Sequence, residues 1–548
     1  MPTRNTRLPQ KTRLQVRAYD CMTAMNSSKN ETPADHDLLP PPVSETVSKA
    51  GSKTGKPADS KWLWVVILFF LINVFTTDSY STVWMDEVLF TDPAANLYHG
   101  QGFTSTAWPT QSSHEFWSGN LPLHTMLLSQ WFKIFGFGMK QTRIFGYLIW
   151  ALAVGVTCMG VRRMRIVENS TGLCWLAAFL FLGQCVTFSY RTGRYDPLHF
   201  FLVSICFYGF SIPERKWRYF VLFASSLLFL PAGAVLGPYS VMLAATLVAF
   251  TYTRYLRELL VIGCGVALGG ALLYLFYSSH GTWDAFLRAT TFVKNIYFKP
   301  NQTHSVYVVK ALALPGTYLQ DKSAVLAFIA LIGIAIFDFR HWQKKQKLQI
   351  GFIVALFLMI PCAFLALYAF PFYYNWTIYV PVCIGLVSAI EKSGALLQST
   401  RKNLAFFILA VGLSLFGLPF RLILASFDPG ERDYNKVEEF VTKSLQPADV
   451  VYADYQAFYP LQKAHVQAYY SWYLYVMSPQ EKASINCIIV DPAWSEHLEN
   501  QLGGQWKATG EQYLHKKSFG NYLDKLLPVY FTEQTNQKYN LAFFRRVK

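Results

Sequence analysis

Long apolar runs recur along this chain, beginning with "WLWVVILFFLINVFTT" at residues 62–77, and they leave few folds open. A helix needs ~18–20 residues to cross the hydrocarbon of a bilayer, and several runs approach or exceed that length. None alternates apolar with polar residues, as the strands of a membrane barrel would. The composition agrees, at 52% hydrophobic, 17% aromatic and 15% charged. The pattern predicts an all-α polytopic membrane protein with about eleven transmembrane helices, centred near residues 70, 152, 180, 204, 225, 244, 267, 331, 358, 381 and 413.

The formal charge of +16 would suit a nucleic-acid binder, but its distribution argues against one. Much of it lies in the first 61 residues and in short links such as "RRMR" (162–165), "PERKWR" (213–218), "RYLR" (254–257), "RHWQKKQK" (340–347) and "EKSGALLQSTRK" (391–402). These alternate with basic-poor links, which the positive-inside rule reads as cytoplasmic against external, with anionic lipid headgroups as secondary partners. Residues 1–61 are rich in Ser, Thr, Pro and Lys and read as a disordered cytoplasmic tail. The first apolar run comes too late and is too long for a cleaved signal peptide. Expected is a multi-pass protein of the cytoplasmic membrane, its C-terminal region external. Of the nine cysteines, Cys21 lies in the tail, Cys487 near the C-terminus and the rest in or beside apolar runs; no pair suggests a disulfide framework or a metal knuckle.

Three external segments follow from that register. The first loop, 80–142, contains "LPLHTMLLSQWFKIFGFG", which reads as a helix lying along the membrane surface. The second, 279–321, reads as a flexible outer loop. The third, 426–548, is polar enough for a small soluble α/β domain, with strands at "DVVYAD" and "CIIVDP" and helices at "NKVEEFVTKSL" and "AWSEHLENQL".

Chemistry is expected at the outer surface, because the spans are nearly bare of ionisable groups. From Tyr219 to Thr253 and from Leu348 to Ile390 there is no Asp, Glu, Lys or Arg. Ion-coupled transporters carry such groups at a midplane site. Asp86 and Glu87 stand just after the first run, and the stretch from Asp78 to Phe132 holds no Lys or Arg. A pair of solvated residues closing a helix is the bland reading. "TFSYRTGRYDPLHFF" (187–201) shifts the balance, because it places Arg191, Arg194 and Asp196 in a very short outer link, against the usual charge bias. Arginines snorkelling to headgroups are one account. The other is an anionic ligand such as a lipid phosphate, which a guanidinium fork matches. Carboxylates and arginines at one face would suit group transfer from a lipid-phosphate donor, a carboxylate taking the acceptor's proton while cations stabilise the departing phosphate.

"WMDEVLFTDPAANLYHGQGF" resembles the first external loop of the GT-C glycosyltransferases, particularly the aminoarabinose transferase and protein O-mannosyltransferase group. "RYDPLHFF" resembles their second acidic site, an Asp followed by Pro at the start of the fourth span. The resemblance covers residues 62–425 and implies a GT-C transmembrane catalytic domain with interfacial helices in its first loop. It also implies transfer of a sugar from a polyprenyl-phosphate carrier, with inversion, to a glycolipid, polysaccharide or protein acceptor. On that resemblance Asp86 is the main acid–base residue, Glu87 orients it or holds the acceptor, and Asp196 supports the site or positions the donor sugar. Arg191, Arg194, Lys294 and Lys299 would meet the donor phosphate, although the two lysines read equally well as an interfacial anchor.

One departure stands out. Aminoarabinose transferases carry a Lys-Pro-Pro-Leu type segment after the first loop, and here the equivalent stretch is "SGNLPLHTM", with Asn120 where the Lys is expected. His99, His114, His124 and Glu115 match no tight ligand motif, so no cofactor is expected and a divalent metal stays an open alternative. Asn301 and Asn375 stand in glycosylation sequons expected outside or near the surface. Two other function classes remain: a transporter or flippase of a lipid-linked saccharide, and a non-catalytic scaffold for envelope assembly.

Overall fold

The structure, a computed structural model, describes residues 60–249, 256–297, 320–367, 372–394, 396, 398–427, 430, 432–513 and 539–547, with side chains described in all of these except 248–249, 293–297 and 361–367. The predicted tail before residue 60, the outer-loop residues 298–319 with Lys299 and Asn301, and the side chain of Lys294 lie outside that set.

The helices that position the site come early. They are α1 (Lys61–Phe75), α2 (Met85–Tyr98), α3 (Pro122–Phe135), α4 (Met139–Arg163), α5 (Ser170–Leu182), α6 (Gln184–Arg191) and α7 (Asp196–Gly209). Helix α1 is apolar all round and buries only Trp62, Val66 and Asn73, leaving Trp64 and Phe75 outward, as a lipid-facing helix does. Helix α3 is amphipathic; His124, Leu128 and Phe132 face inward while Ile134 and Phe135 stay exposed, consistent with the surface helix expected there. Helix α4 runs along α7, with the Thr157 and Ser204 hydroxyls 2.9 Å apart across the contact.

Among the described residues four helices are long and apolar enough to cross a membrane: α4, Leu256–Ser279, Lys322–His341 and Phe372–Lys392. There are six if two bent pairs count as single spans: α5 with α6, bent by 66°, and Ser399–Ser414 with Leu418–Ser426, bent by 47°. The expected eleven are therefore not reproduced, although every expected centre falls on a helix. Those near 70, 204, 225 and 244 fall on helices of 15, 14, 13 and 13 residues. At 1.5 Å per residue such helices reach about 20 Å, short of the ~30 Å hydrocarbon thickness. Breaks at Pro213, Gly233 and Pro238 shorten them, and hydropathy alone does not register such breaks. The centre near 358 falls on Lys344–Leu367.

The bend between α5 and α6 has a specific cause. A Cβ on Gly183 would stand 2.7 Å from the Tyr379 ring, so the chain turns there by passing its bare backbone against that ring.

Near the C-terminus lies a five-stranded sheet of β1 (Val450–Ala453), β2 (Gln467–Tyr470), β3 (Cys487–Val490), β4 (Trp506–Tyr513) and β5 (Leu541–Arg546), in the order β2-β1-β3-β5-β4. The strands expected at "DVVYAD" and "CIIVDP" are β1 and β3, and the expected helices are Tyr434–Ser444 and Ser495–Leu502. β1 runs parallel to β2 and β3, and β5 runs antiparallel to β3 and β4.

This domain is joined to the first loop by hydrogen bonds from several elements. The Tyr470 amide donates to the Thr106 carbonyl at 3.1 Å, and the Ser113 amide donates to the Tyr473 hydroxyl at 2.9 Å. Gln462 donates to Asp92 at 3.0 Å, and the Val83 amide to the Tyr539 hydroxyl at 3.2 Å. Asn375, expected near the surface, is fully buried at the start of the helix Trp376–Lys392, so its sequon is not presented for glycosylation.

Candidate active site

Asp86 and Glu87 occupy the first turn of α2, where the helix dipole favours carboxylates. Neighbours on a helix point ~100° apart, and the two acids accordingly meet different partners. Glu87 is fully buried and holds Arg143 of α4 through two hydrogen bonds of 2.9 and 2.8 Å, while Tyr459 of the C-terminal domain donates to it at 3.0 Å. Arg143 also donates to the Ser81 and Thr77 carbonyls, at 2.7 and 3.2 Å. Glu87, expected to orient Asp86 or hold the acceptor, is thus engaged in a buried ion pair with Arg143.

Asp86 faces the link between α6 and α7. That link is a tight turn in which Gly193 has φ +60°, and a Cβ there would stand 2.8 Å from Cγ of Glu87. Only a glycine meets both demands, and the turn aims Arg194 inward. Arg194 sits between two carboxylates. Its Nη1 donates to Asp86, and its Nε donates to Asp196 at 2.8 Å. The other oxygen of Asp196 accepts from the Trp376 indole at 2.8 Å.

The guanidinium is fully buried and ringed by aromatics, with the Tyr373 centroid at 4.1 Å and those of Tyr374, Tyr195, Trp84 and Phe90 between 5.3 and 5.9 Å. Its Nη2 has no hydrogen-bond partner among the described residues. Buried donors are nearly always paired, so a free one in such a cluster points to a missing acceptor.

Asp86 keeps an edge toward solvent, with 15% of its side chain exposed, whereas Asp196 is closed off. Loss of water around Asp86 raises its pKa above the ordinary carboxylate value. Arg194 pulls the other way, and the nearby charge of Asp196 adds to the rise. His124 on α3 is buried near this cluster, and neither ring nitrogen has a hydrogen-bond partner among the described residues. Burial, with a smaller contribution from Arg194, lowers its pKa to about 3, so it is a neutral imidazole near neutral pH.

Arg191 does not join this cluster. It closes the C-terminal end of α1, donating to the Tyr80 carbonyl at 3.0 Å, the Thr76 carbonyl at 2.7 Å and the Asn73 side chain. Phosphate binding would require it to abandon those carbonyls. The first-loop histidines are dispersed: His99 packs against His465 with ring centroids 4.8 Å apart, and His114 and Glu115 are exposed. Among the described residues no three His, Cys, Asp or Glu side chains gather as a metal-binding set. Between Asp86 and Asp196, the place a cation would take is filled by Arg194.

Arg143, Trp376, Tyr373 and Tyr374 went unnoticed in the sequence. Arg143 carried a signal, since it lies at the external end of a predicted span, against the same charge bias that singled out Arg191 and Arg194. The aromatic residues carried none, being one group among many in a chain that is 17% aromatic.

No family model and no curated protein matches this chain by sequence. Solved structures do match. ArnT from Cupriavidus metallidurans in the apo state superposes with a TM-score of 0.55 at 12% identity, over 90% of this chain and 99% of that one. The arabinofuranosyltransferase AftD from Mycobacteria gives 0.48 at 11% identity, over 90% of this chain but 40% of that one. The apo oligosaccharyltransferase of Archaeoglobus fulgidus gives 0.44 at 12%, over 81% of this chain and 71% of that one. On the strength of the ArnT superposition, this chain has the same fold as that protein.

Proposed function

We propose that the chain is an integral membrane glycosyltransferase of the GT-C type, transferring a sugar from a polyprenyl-phosphate donor at the outer face of the cytoplasmic membrane. The acceptor is a cell-envelope glycolipid, polysaccharide or protein. The observation that carries this reading is the Asp86–Arg194–Asp196 arrangement, in which a partly exposed acid shares a buried guanidinium with a second acid and the guanidinium keeps one nitrogen free.

A donor phosphate oxygen would accept from Nη2 of Arg194, a charge-assisted bond made stronger by the aromatic enclosure. Taking up the phosphate weakens the hold of Arg194 on Asp86 and frees that carboxylate. The acceptor oxygen then attacks the anomeric carbon from the face opposite the phosphate, and its proton passes to Asp86. The carbon–oxygen bond to phosphate breaks, and the electron pair leaves on the phosphate, whose charge Arg194 stabilises. Inversion at the anomeric carbon follows from a single displacement. Asp196 positions Arg194 through Nε and is itself held by Trp376. Because a guanidinium stands between the acids, the cationic role is assigned to Arg194 and no metal is invoked.

The test is turnover of a radiolabelled polyprenyl-phosphate sugar by the purified full chain, wild type against Asp86→Asn and Asp196→Asn. Loss of turnover in both with thermal stability retained in Asp86→Asn is the expected result. Wild-type turnover in Asp86→Asn would remove the proposed base.

A further inference from the structure

The C-terminal domain carries a cleft that the reaction above does not use. β1 is flanked by β2 on one side and β3 on the other, all three parallel, so the connections leaving β1 and β2 run to opposite sides of the sheet. In parallel sheets of this order a crevice opens beyond the carboxyl ends of the strands at that reversal, and ligands bind there. Here the crevice is a cavity of about 290 Å³, lined by residues that follow β1, β2 and β3. That volume lies at the lower end of the ~300–1,000 Å³ range of small-molecule sites.

Its lining is unusual for a structural seam. Tyr455, Trp472, Tyr475 and Trp494 contribute ring surface, and Trp494 and Tyr475 are 61% and 71% exposed. His497 and Gln501 stand at the exposed rim, bonded to each other at 2.8 Å. Asp454, at the end of β1, contributes the acid. Its Oδ1 is enclosed and has no hydrogen-bond partner among the described residues. Burial pushes this carboxyl up to about 6, against the pull of the Tyr455 and Gln456 amides and with help from the neighbouring Asp491.

Open aromatic faces beside an unpaired carboxylate suit one ligand chemistry. The C–H faces of a pyranose or furanose ring stack on aromatic surface, and its hydroxyls donate to an acid. A purely apolar ligand would leave Oδ1 of Asp454 without a partner, and an anion would be repelled by the carboxylate.

One residue of the cleft lies near the Asp86 cluster. Tyr455 lines the cleft and lies within electrostatic reach of Asp86. Trp472, on the opposite lip, packs against Phe292 of the helix Trp283–Tyr297, with ring centroids 5.9 Å apart.

We propose that the cleft between Asp454, Tyr475 and Trp494 is a saccharide-binding subsite that holds the glycan portion of the acceptor beside Asp86. The naming of the occupant as acceptor rests on the glycosyltransferase reading; the binding of a saccharide does not.

The experiment uses the full chain in lipid nanodiscs and its intrinsic tryptophan fluorescence, to which Trp472 and Trp494 of the cleft contribute. The probes are four soluble trisaccharides: maltotriose, mannotriose, chitotriose and arabinotriose. Saturable quenching by at least one of them is expected, weakened at least tenfold in Trp494→Ala and in Asp454→Asn. Trp494 is largely exposed, so its truncation tests the site without unfolding the domain, and Trp472 remains as reporter. Absence of saturable quenching by all four, or wild-type affinity in both Trp494→Ala and Asp454→Asn, overturns the subsite. Donor turnover, measured separately, decides the catalytic reading. Saccharide binding without turnover would leave the subsite standing and remove the enzyme, and turnover without binding would do the reverse.

Discussion

Asp86 and Glu87 are adjacent in the chain and separate in function, and single substitutions distinguish them. Asp86→Asn removes the proposed base while keeping a hydrogen-bonding side chain of the same size, so donor turnover is expected to fall by ~10²–10⁴. The pH profile gives a second readout. Burial raises the Asp86 carboxyl above the ordinary carboxylate range, so protonated, inactive enzyme persists to higher pH than for an unshifted carboxylate. Turnover should rise with pH through that raised value, and the acid limb should vanish from the residual activity of Asp86→Asn. Glu87→Gln acts differently, because it leaves the buried charge of Arg143 with no counter-charge. Breaking such a pair costs about 3–5 kcal/mol, which thermal unfolding of the purified protein would register as a large fall in Tm. If Glu87→Gln kept wild-type stability, the structural role would be wrong.

At the scale of elements, the α6–α7 turn decides whether the site assembles. Gly193→Ala forces a side chain into φ +60° and against Cγ of Glu87, 2.8 Å away. A loss of about 1–3 kcal/mol is expected from strain and overpacking. Arg194 should also shift, so turnover falls further than the loss of stability alone explains; donor titration separates the two effects. The turn was partly legible in advance. The Arg-Thr-Gly-Arg-Tyr-Asp-Pro string announced a short outer link with unusual charge, and Pro197 marked a helix start. Which arginine would serve the site was not legible. Arg191 and Arg194 are three residues apart and chemically alike, and the path of the chain through Gly193 sends one to the carbonyls of α1 and the other to Asp86.

At the scale of the whole molecule, the C-terminal domain is bonded to the helix that carries Asp86 rather than hung from the chain as an appendage. Tyr459 bonds Glu87, and Gln462 bonds Asp92, which also accepts from Ser105 and the Thr106 and Ala107 amides. The double variant Tyr459→Phe, Gln462→Leu removes these two of the cross-domain bonds with little change of shape. It is expected to destabilise by about 1–3 kcal/mol, at roughly 1 kcal/mol per hydrogen bond. Limited proteolysis would follow it, with faster cleavage between residues 80 and 121. Contacts of this kind join residues hundreds of positions apart. Neither hydropathy nor charge pattern carries that pairing, so the domain read as separate in the sequence and is bound in the structure.

The sequence by itself determined the apolar, membrane character of this protein, its helical class, β1 and β3 of its C-terminal sheet and the candidate acids, because hydropathy, period and charge bias act locally along the chain. The tertiary structure decided which acid is free and which is locked, which arginine stands between Asp86 and Asp196, and where helices break short of a full span. Those outcomes depend on what meets each side chain in space: a guanidinium, an indole, a glycine turn or a ring from a distant helix.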